Sequence, residues 1–439
     1  MTRIARWAIV HGMRSDVYGL PVTTRSGEAV DAYDQAVSAS LAWEGHALDH
    51  FRTAAEHDPT FSLAHAGAAV CLFLDERFKE ARAAGETARG AVQSQTDREK
   101  GHVEALALLV NGQTGPAERA MREHLSAYPR DLIIFQRLYF ILFWQGRFPE
   151  MLEDTRQLVR QFDGNSFVLG LHAFALEERD QCVEALRTAE AALALNNQDA
   201  WAVHAFAHAL YEQGKSDVGL AALPPAILPC THVNWFRNHL LWHVALMHLA
   251  RGNYDQARAF SRAVFERAPS SIAGDLHDSI SLLWRFELYG RPVGDAWRPF
   301  VAIARERLNR QGLLFHAVHL AMALAGAGEW ATATQQLGML RDRVAKDPTG
   351  VIRDVVVPLV EGLYAFAAHD YPRAIERIEP LRPRIIEIGG SRAQRDVFHE
   401  TLLEACFRAG DMERAERLLA GRLASRGDHF WKHRRALAA

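Results

Sequence analysis

Two pairs of histidines could do chemistry in this chain, because their spacing places both imidazoles of a pair on one helix face. His204 and His208 form the first pair, and His239 and His243 form the second. Side chains four residues apart are neighbours on an α-helix. An imidazole exchanges a proton near neutral pH, and a neutral imidazole also binds divalent metals. The pairs therefore indicate acid–base catalysis, a metal site, or histidines that only pack in the core.

A carboxylate and further polar side chains follow these pairs. Asp278 stands next to His277 and three residues before Ser281, and His319 lies further along the chain. An imidazole that acts as an acid or base needs an acceptor at its second nitrogen, and Asp278 could be that acceptor. The alternative is that Asp278 only stabilises the N-terminus of its own helix through the helix macrodipole.

These residues predict an acid–base cluster that converges on one cavity. The predicted catalytic residues are His204, His208, His239, His243, Asp278 and His319. Aromatic, polar and charged side chains of the same groove are expected to bind the substrate, and they are Arg137, Trp201, His277, Ser281, Trp284, Phe315, Arg395 and Asp396. No cofactor is predicted. The alternative, one divalent metal on the histidines, lacks the support of an HExxH motif.

The elements that must position these residues repeat along the chain. Each unit has an amphipathic helix, a turn at a glycine or polar residue, an aromatic residue two places on and a small residue five places on. Gly252, Tyr254 and Ala257 form the clearest copy. The turns fall at positions 76, 112, 146, 180, 214, 252, 290, 328, 369 and 410, and Ala42 extends this series towards the N-terminus.

Successive turns are 34 to 41 residues apart, which is close to the 34-residue period of the tetratricopeptide repeat. The sequence therefore predicts an all-α fold, a tetratricopeptide-repeat superhelix (an α-solenoid) of about 11 helix pairs. The first helix of each pair is expected to line the concave groove. Prolines seventeen places after a turn mark where a second helix should stop, and they are Pro59, Pro129 and Pro269.

The same series of turns predicts the boundaries of the repeat region within the chain. Residues 1–27 are expected to form an N-terminal segment, residues 28–425 one unbroken superhelix, and residues 426–439 a C-terminal tail. A helix pair buries its apolar face only against neighbouring pairs, so the stack should not separate into independent domains.

Five stretches resemble the tetratricopeptide-repeat-38 family of bacteria and eukaryotes. They are GLPVT at 19–23, DP-FSLAH at 58–65, NWFRNHLLWHVALMHLARGNYDQA from Asn234, HDSISLLWRFELYG from His277 and GGSRAQRDVF from Gly389. The resemblance runs in order over nearly the whole chain. It implies a superhelix of paired helices, and it implies no particular biochemical role.

Composition restricts the partners and the location. The 439 residues include 50 Lys and Arg against 53 Asp and Glu, so no net positive charge favours binding to nucleic acid or to an anionic membrane. The four cysteines lie in apolar stretches and never in a CxxC motif, which indicates reduced thiols in a cytoplasmic protein. The N-terminal apolar run is too short for a secretory signal, and no later stretch is long and uncharged enough to span a membrane.

Two classes of function remain open. Histidines among aromatic side chains favour a small-molecule pocket, with an enzyme of the hydrolase or lyase type acting on a small polar organic substrate. The alternative is a non-catalytic scaffold that binds a peptide or protein, the usual role of such repeats. The first interpretation predicts a small-molecule partner, and self-association is left open.

Overall fold

The computed structural model of the protein describes residues 14–92, 95–266, 269–310, 312–426 and 428–438. The sequence predicts that the N-terminus is not a secretory signal. Residues 1–13, on which that prediction rests, lie outside the described residues. Across the described ranges, every helix is too short or too polar to cross a lipid bilayer.

The described residues form 23 α-helices, which confirms the all-α repeat fold. In chain order they are α1 (Gly27–Leu41), α2 (Ala47–His57), α3 (Ser62–Leu74), α4 (Phe78–Ala91), α5 (Asp97–Val110), α6 (Thr114–Ala127), α7 (Leu132–Trp144), α8 (Phe148–Val159), α9 (Ser166–Glu178), α10 (Cys182–Leu195), α11 (Ala200–Glu212), α12 (Ser216–Ile227), α13 (Phe236–Ala250), α14 (Tyr254–Ser261), α15 (Ala273–Leu288), α16 (Arg298–Arg307), α17 (Leu314–Gly326), α18 (Trp330–Val344), α19 (Val357–Ala367), α20 (Tyr371–Ile378), α21 (Arg392–Ala409), α22 (Met412–Ser425) and α23 (His429–Ala438). Short π-helical segments lie at Arg262–Glu266 and Ile352–Val356, and 3₁₀ turns lie at Gly294–Trp297, Glu379–Leu381 and Ile385–Ile388.

The predicted turns are where the helices end. All ten positions from 76 to 410 adopt a left-handed backbone with φ between 59° and 76°, and seven of them are glycine, which has no Cβ to clash there. At Gly146 the N–H of the following residue, Arg147, donates to the carbonyl of Leu142 at 2.9 Å, the bond that closes a Schellman motif. The first turn lies at Trp43 (φ 63°), one residue after the predicted Ala42.

A small hairpin precedes the first helix, where the sequence predicted no strand. Strands β1 (Arg14–Ser15) and β2 (Pro21–Val22) pair antiparallel. The carboxylate of Asp16 holds the connecting turn by accepting the N–H groups of Tyr18 and Leu20 at 3.0 and 2.9 Å. Strands of two residues are too short to produce an alternating pattern in the sequence, so only the structure shows them.

The superhelix closes on itself, so that residues about 200 positions apart meet. The N–H of Gly45 donates to the carbonyl of His232 at 2.9 Å, next to a bridge between Glu44 and Val233. The carboxylate of Glu76 accepts the N–H of Ala273 at 3.0 Å and forms an ion pair with Arg307.

Helix α21 fills the concave groove of this closed superhelix. It packs against α11, α15 and α19, and most of its residues are buried on all sides. Its Glu400 accepts a charge-assisted hydrogen bond from the fully buried Arg285 of α15 at 2.8 Å. The last described helix, α23, contacts α13. The chain therefore covers much of its own concave wall.

Candidate functional site

The first helices of two consecutive pairs bring four histidines together. His204 and His208 lie on α11, His239 and His243 lie on the neighbouring α13, and we call these residues the four-histidine cluster. The ring centroids are 4.4 Å apart for His204–His208, 4.5 Å for His208–His243 and 4.8 Å for His239–His243. At most 6% of the surface of each residue is exposed. The four rings therefore pack against one another in the space between α11 and α13.

Local sequence explains where α11 starts and how closely it packs. Asp199 caps the helix, because its Oδ1 accepts the N–H groups of Trp201 and Ala202 at 3.0 Å each. Small alanines recur along α11 between the histidines and allow neighbouring helices to approach. Trp201 and Phe174 cover the cluster on one side, with ring centroids 4.6 and 5.0 Å from His204.

Two carboxylates flank the cluster, one from each adjoining repeat. Asp278 of α15 accepts a hydrogen bond from Nδ1 of His239 at 2.7 Å. Glu177 of α9 places Oε2 3.2 Å from Nδ1 of His208. Inside the cluster, Nε2 of His204 and Nε2 of His239 are 3.0 Å apart. The predicted orientation of an imidazole by Asp278 is thus present, and the imidazole is that of His239.

Burial keeps three of the four imidazoles uncharged. It lowers the pKa of His208 to about 3, and burial together with the neighbouring imidazoles holds the pKa of His204 and of His243 well below the ordinary value. Burial and the nearby Glu212 raise the pKa of Glu177 to about 8. At neutral pH these imidazoles are in the neutral form, which has a free electron pair on one nitrogen.

His319 lies in a second group of histidines. Nε2 of His277 is 3.0 Å from Nδ1 of His316, and the ring of His319 is 5.0 Å from that of His277. Nδ1 of His319 donates to the carbonyl of Phe315 at 2.9 Å. The six predicted catalytic residues are thus divided: five lie at the four-histidine cluster, and His319 lies with His277 and His316.

Three of the predicted substrate-binding residues are engaged within the chain. Ser281 donates to the carbonyl of Asp278 at 3.1 Å, and Trp284 donates to the hydroxyl of Thr401 on α21 at 2.9 Å. Phe315 is fully buried beside Trp144, with ring centroids 6.1 Å apart.

Arg395 and Asp396 pair with charges of the chain itself. Arg395 donates to Glu178 at 2.9 Å and also binds the carbonyl of Gly390. Asp396 accepts from Arg422 at 2.7 Å and from Arg426 at 2.5 Å. The guanidinium expected to receive a substrate carboxylate already holds the carboxylate of Glu178.

Arg137 lies apart from the cluster. Its guanidinium lies over the ring of Phe140 at 5.3 Å and donates to Gln136. Burial lowers its pKa to about 10. Nε2 of Gln136 donates to the carbonyl of Leu41 at 3.5 Å, so this corner belongs to the contact between α7 and α1.

Sequence reasoning missed four buried polar residues of the groove. They are Glu177, Glu178, Glu212 and His316. The first two stand three and two places before the turn at Asp180, and Glu212 stands two places before Gly214. In each repeat, the positions two and three places before the turn lie on the first helix and face the groove. A search of these positions in the sequence could therefore have found the three carboxylates.

An open cleft lies at the junction between the first helix and the later repeats. Its volume is about 450 Å³. Its lining comes from the start of the chain, the start of α9 and the α10–α11 loop, and comprises Val17, Asp34, Gln35, Ser38, Ala39, Ala42, Glu44, His46, His50, Phe167, Asn196 and Gln198. Val17, Gln35, Ser38 and Gln198 are exposed at its rim.

Many solved structures are similar to this chain, and no family model matches it. The chain is similar to yeast Tom70 at 11% identity and a TM-score of 0.43, with 90% of each chain covered. It is also similar to a chain of Naa15/Naa10 bound to HypK-THB at 12% identity and a TM-score of 0.25, with 89% of this chain and 62% of that chain covered.

The prediction of a small-molecule partner is wrong. The groove in which the ligand was expected is occupied by α21, and the histidine rings there contact one another. The predicted helical groove is present, but a later helix of the same chain fills it, which the sequence did not reveal.

Proposed function

We propose that this protein is a non-catalytic scaffold that binds an extended segment of another protein in the cleft beside α1. The observation that carries the proposal is the contrast between two concave surfaces. The central groove is filled by α21, whereas the cleft of about 450 Å³ is open and has exposed side chains at its rim. A partner can enter the cleft without unfolding any part of the superhelix.

The lining of the cleft suits an extended backbone. The amide side chains of Gln35, Asn196 and Gln198 can each donate to a peptide carbonyl and accept from a peptide N–H. Val17, with 56% of its surface exposed, and Phe167 offer apolar contacts for alternate side chains of the segment. Repeated amide contacts give affinity for a backbone, and apolar contacts give preference among side chains.

The charges of the cleft favour a basic segment. Asp34 and Glu44 line it, and Oε2 of Glu44 lies 2.8 Å from Nε2 of His46. The carboxylate of Asp34 accepts the N–H of Val17 at 3.0 Å. A lysine or arginine side chain that enters the cleft would donate a charge-assisted hydrogen bond to the carboxylate of Asp34.

The test is a library of short unstructured peptides, with and without a fixed lysine or arginine, measured by fluorescence anisotropy against the full chain. We expect basic peptides to bind, and Val17→Lys combined with Gln198→Ala to weaken that binding at least tenfold, because the added cation repels a basic peptide. Leu228→Lys is the matched control, because Leu228 is 70% exposed and does not line the cleft. Absence of binding, or equal binding by wild type and the double variant, would contradict the proposal.

Several finer statements stay predictions of the sequence. They are membership of the tetratricopeptide-repeat-38 family, the division at residues 27 and 425, and a cytoplasmic location. The acid–base roles assigned to the histidines also stay predictions. The burial of the four-histidine cluster favours a role inside the protein.

A further inference from the structure

The four-histidine cluster holds more unpaired nitrogens than a packed core should. Neither ring nitrogen of His208 or of His243 has a hydrogen-bond partner, and Nδ1 of His204 has none. All three residues are almost completely buried. A buried polar group without a partner loses its hydration and gains nothing in return, so such groups are rare and each needs an explanation.

The nitrogens converge on one point. One ligand atom from each of His204, His208, His239 and His243 lies within 4.8 Å of the other three. A tetrahedral zinc ion with Zn–N bonds of about 2.0–2.1 Å requires its nitrogens to be about 3.4 Å apart. The Nε2–Nε2 distance between His204 and His239 is 3.0 Å. Small side-chain rotations would therefore bring all four nitrogens to bonding distance.

The flanking carboxylates fix how the rings present their nitrogens. Because Nδ1 of His239 donates to Asp278, the free electron pair of that ring is on Nε2, which faces His204. Oε2 of Glu177 lies 3.2 Å from Nδ1 of His208 without a hydrogen bond between them, so a small rotation of the ring would let that nitrogen donate to Glu177. Metal-bound histidines usually have such a carboxylate at the other nitrogen, and the carboxylate both orients the ring and increases its basicity.

We propose that the four-histidine cluster binds one divalent transition-metal ion, with zinc as the metal that fits best. Imidazole ligands suit zinc and its first-row neighbours, whereas magnesium and calcium require oxygen ligands. Four protein ligands complete a tetrahedral zinc site, so the ion has no open position for a substrate. The ion is a structural link between α11 and α13, and the carboxylate of Asp278 offsets part of its charge. This inference does not depend on the proposed docking cleft.

Two other groups of buried ligand-type residues lack these properties. Asp131 already binds His102 at 2.9 Å and His124 at 3.1 Å, and Arg98 lies 3.3 Å from the same oxygen. A cation there would meet the charge of Arg98. Glu178, near His208, is bound by Arg395. The four-histidine cluster differs from both because five of its ring nitrogens have no hydrogen-bond partner.

The experiment measures metal in untagged full-length protein by inductively coupled plasma mass spectrometry, after chelation, dialysis against zinc and removal of free ion. We expect about one zinc per chain and a higher Tm with zinc than without. His204→Gln combined with His243→Gln should hold less than about 0.1 zinc per chain. The matched control is His277→Gln combined with His316→Gln, which alters the neighbouring histidine group and should still bind one zinc.

A second measurement decides the question if the double variant fails to fold. Cobalt added to metal-free wild type should give the intense visible absorption of a tetrahedral Co²⁺ site, and zinc should displace it. A folded wild-type chain that retains less than about 0.1 zinc per chain overturns the proposal. The weak spectrum of octahedral cobalt, or equal zinc in wild type and a folded cluster variant, also overturns it.

Discussion

Asp34 is the residue through which pH should control binding in the cleft. Burial raises its pKa to about 6, with Asp16 and Asp31 adding to the shift and Arg98 opposing it. The carboxylate is therefore ionised above pH 6 and neutral below it. Raising the pH from 5 to 7 increases its ionised fraction about tenfold, so affinity for a basic peptide should rise by up to about tenfold. Fluorescence anisotropy across this range measures the effect.

Two variants isolate the contribution of Asp34. Asp34→Asn keeps the shape of the side chain and should remove the pH dependence. Glu44, His46 and His50 also line the cleft, so the titration should be repeated in His46→Gln combined with His50→Gln. A pH dependence that persists in Asp34→Asn but vanishes in the histidine variant would assign the effect to the histidines.

Arg98 should matter for stability more than any surface arginine. It is fully buried, and its guanidinium lies 2.8 Å from Asp16 and 3.3 Å from Asp131. Arg98→Met would leave two buried carboxylates without this cation, which should lower the free energy of unfolding by about 3–5 kcal/mol. Urea denaturation measures the loss.

The matched control for Arg98→Met is Arg77→Met. Arg77 pairs with Glu80 at the protein surface, at the start of α4. Exposed pairs contribute at most about 1 kcal/mol, so this variant should behave almost as wild type. A similar loss of stability in both variants would show that the buried ion pairs of Arg98 contribute no more to the free energy of unfolding than an exposed ion pair does.

At the scale of elements, the turns between paired helices differ in what they contact. Gly146 and Gly112 both have positive φ, of 67° and 75°. A Cβ at Gly146 would overlap the carbonyl oxygen of Ile386, whereas a Cβ at Gly112 would meet no atom within 4 Å. Gly112→Ala should cost about 1–2 kcal/mol of unfolding free energy for the left-handed backbone alone.

Gly146→Ala should cost clearly more than Gly112→Ala, because the 385–388 segment must also move away. Thermal or urea unfolding of the two alanine variants gives the difference directly. Equal losses would mean that the approach of Ile386 to this turn adds nothing to stability.

The elements could be predicted from the sequence much better than their mutual arrangement. Turn positions such as Gly252 and Gly410 follow from local constraints, since a left-handed residue favours glycine and a helix must stop there. The histidine pairs were found by the i, i+4 spacing within one helix. The position of α21 in the groove was not predicted, because contacts between residues 100 or more apart leave no periodic signal in a single sequence.

At the scale of the whole molecule, closure should make the repeats unfold together. An open solenoid has contacts only between neighbouring repeats, so its repeats can unfold independently. Here Glu76 joins the first repeats to α15 and to Arg307. Glu76→Asn suits the left-handed backbone at this position but shortens the side chain, and it should lower the free energy of unfolding by about 1–3 kcal/mol.

Hydrogen exchange locates the effect of Glu76→Asn. Exchange should accelerate both around residue 76 and at the start of α15, although the two regions are far apart in sequence. Glu80→Gln, which alters an exposed pair within α4, is the control and should leave α15 unchanged. Faster exchange around residue 76 alone would show that the closing contact does not couple the two regions.

The place of α21 also has a consequence for biosynthesis. A ribosome adds about 5–20 residues per second, and residues 1–391 emerge before the helix that fills the groove. During that interval Arg285 faces water without its partner Glu400. Completion of this fold must therefore wait until translation has passed residue 409, and an earlier stop would release a chain with an uncovered interior.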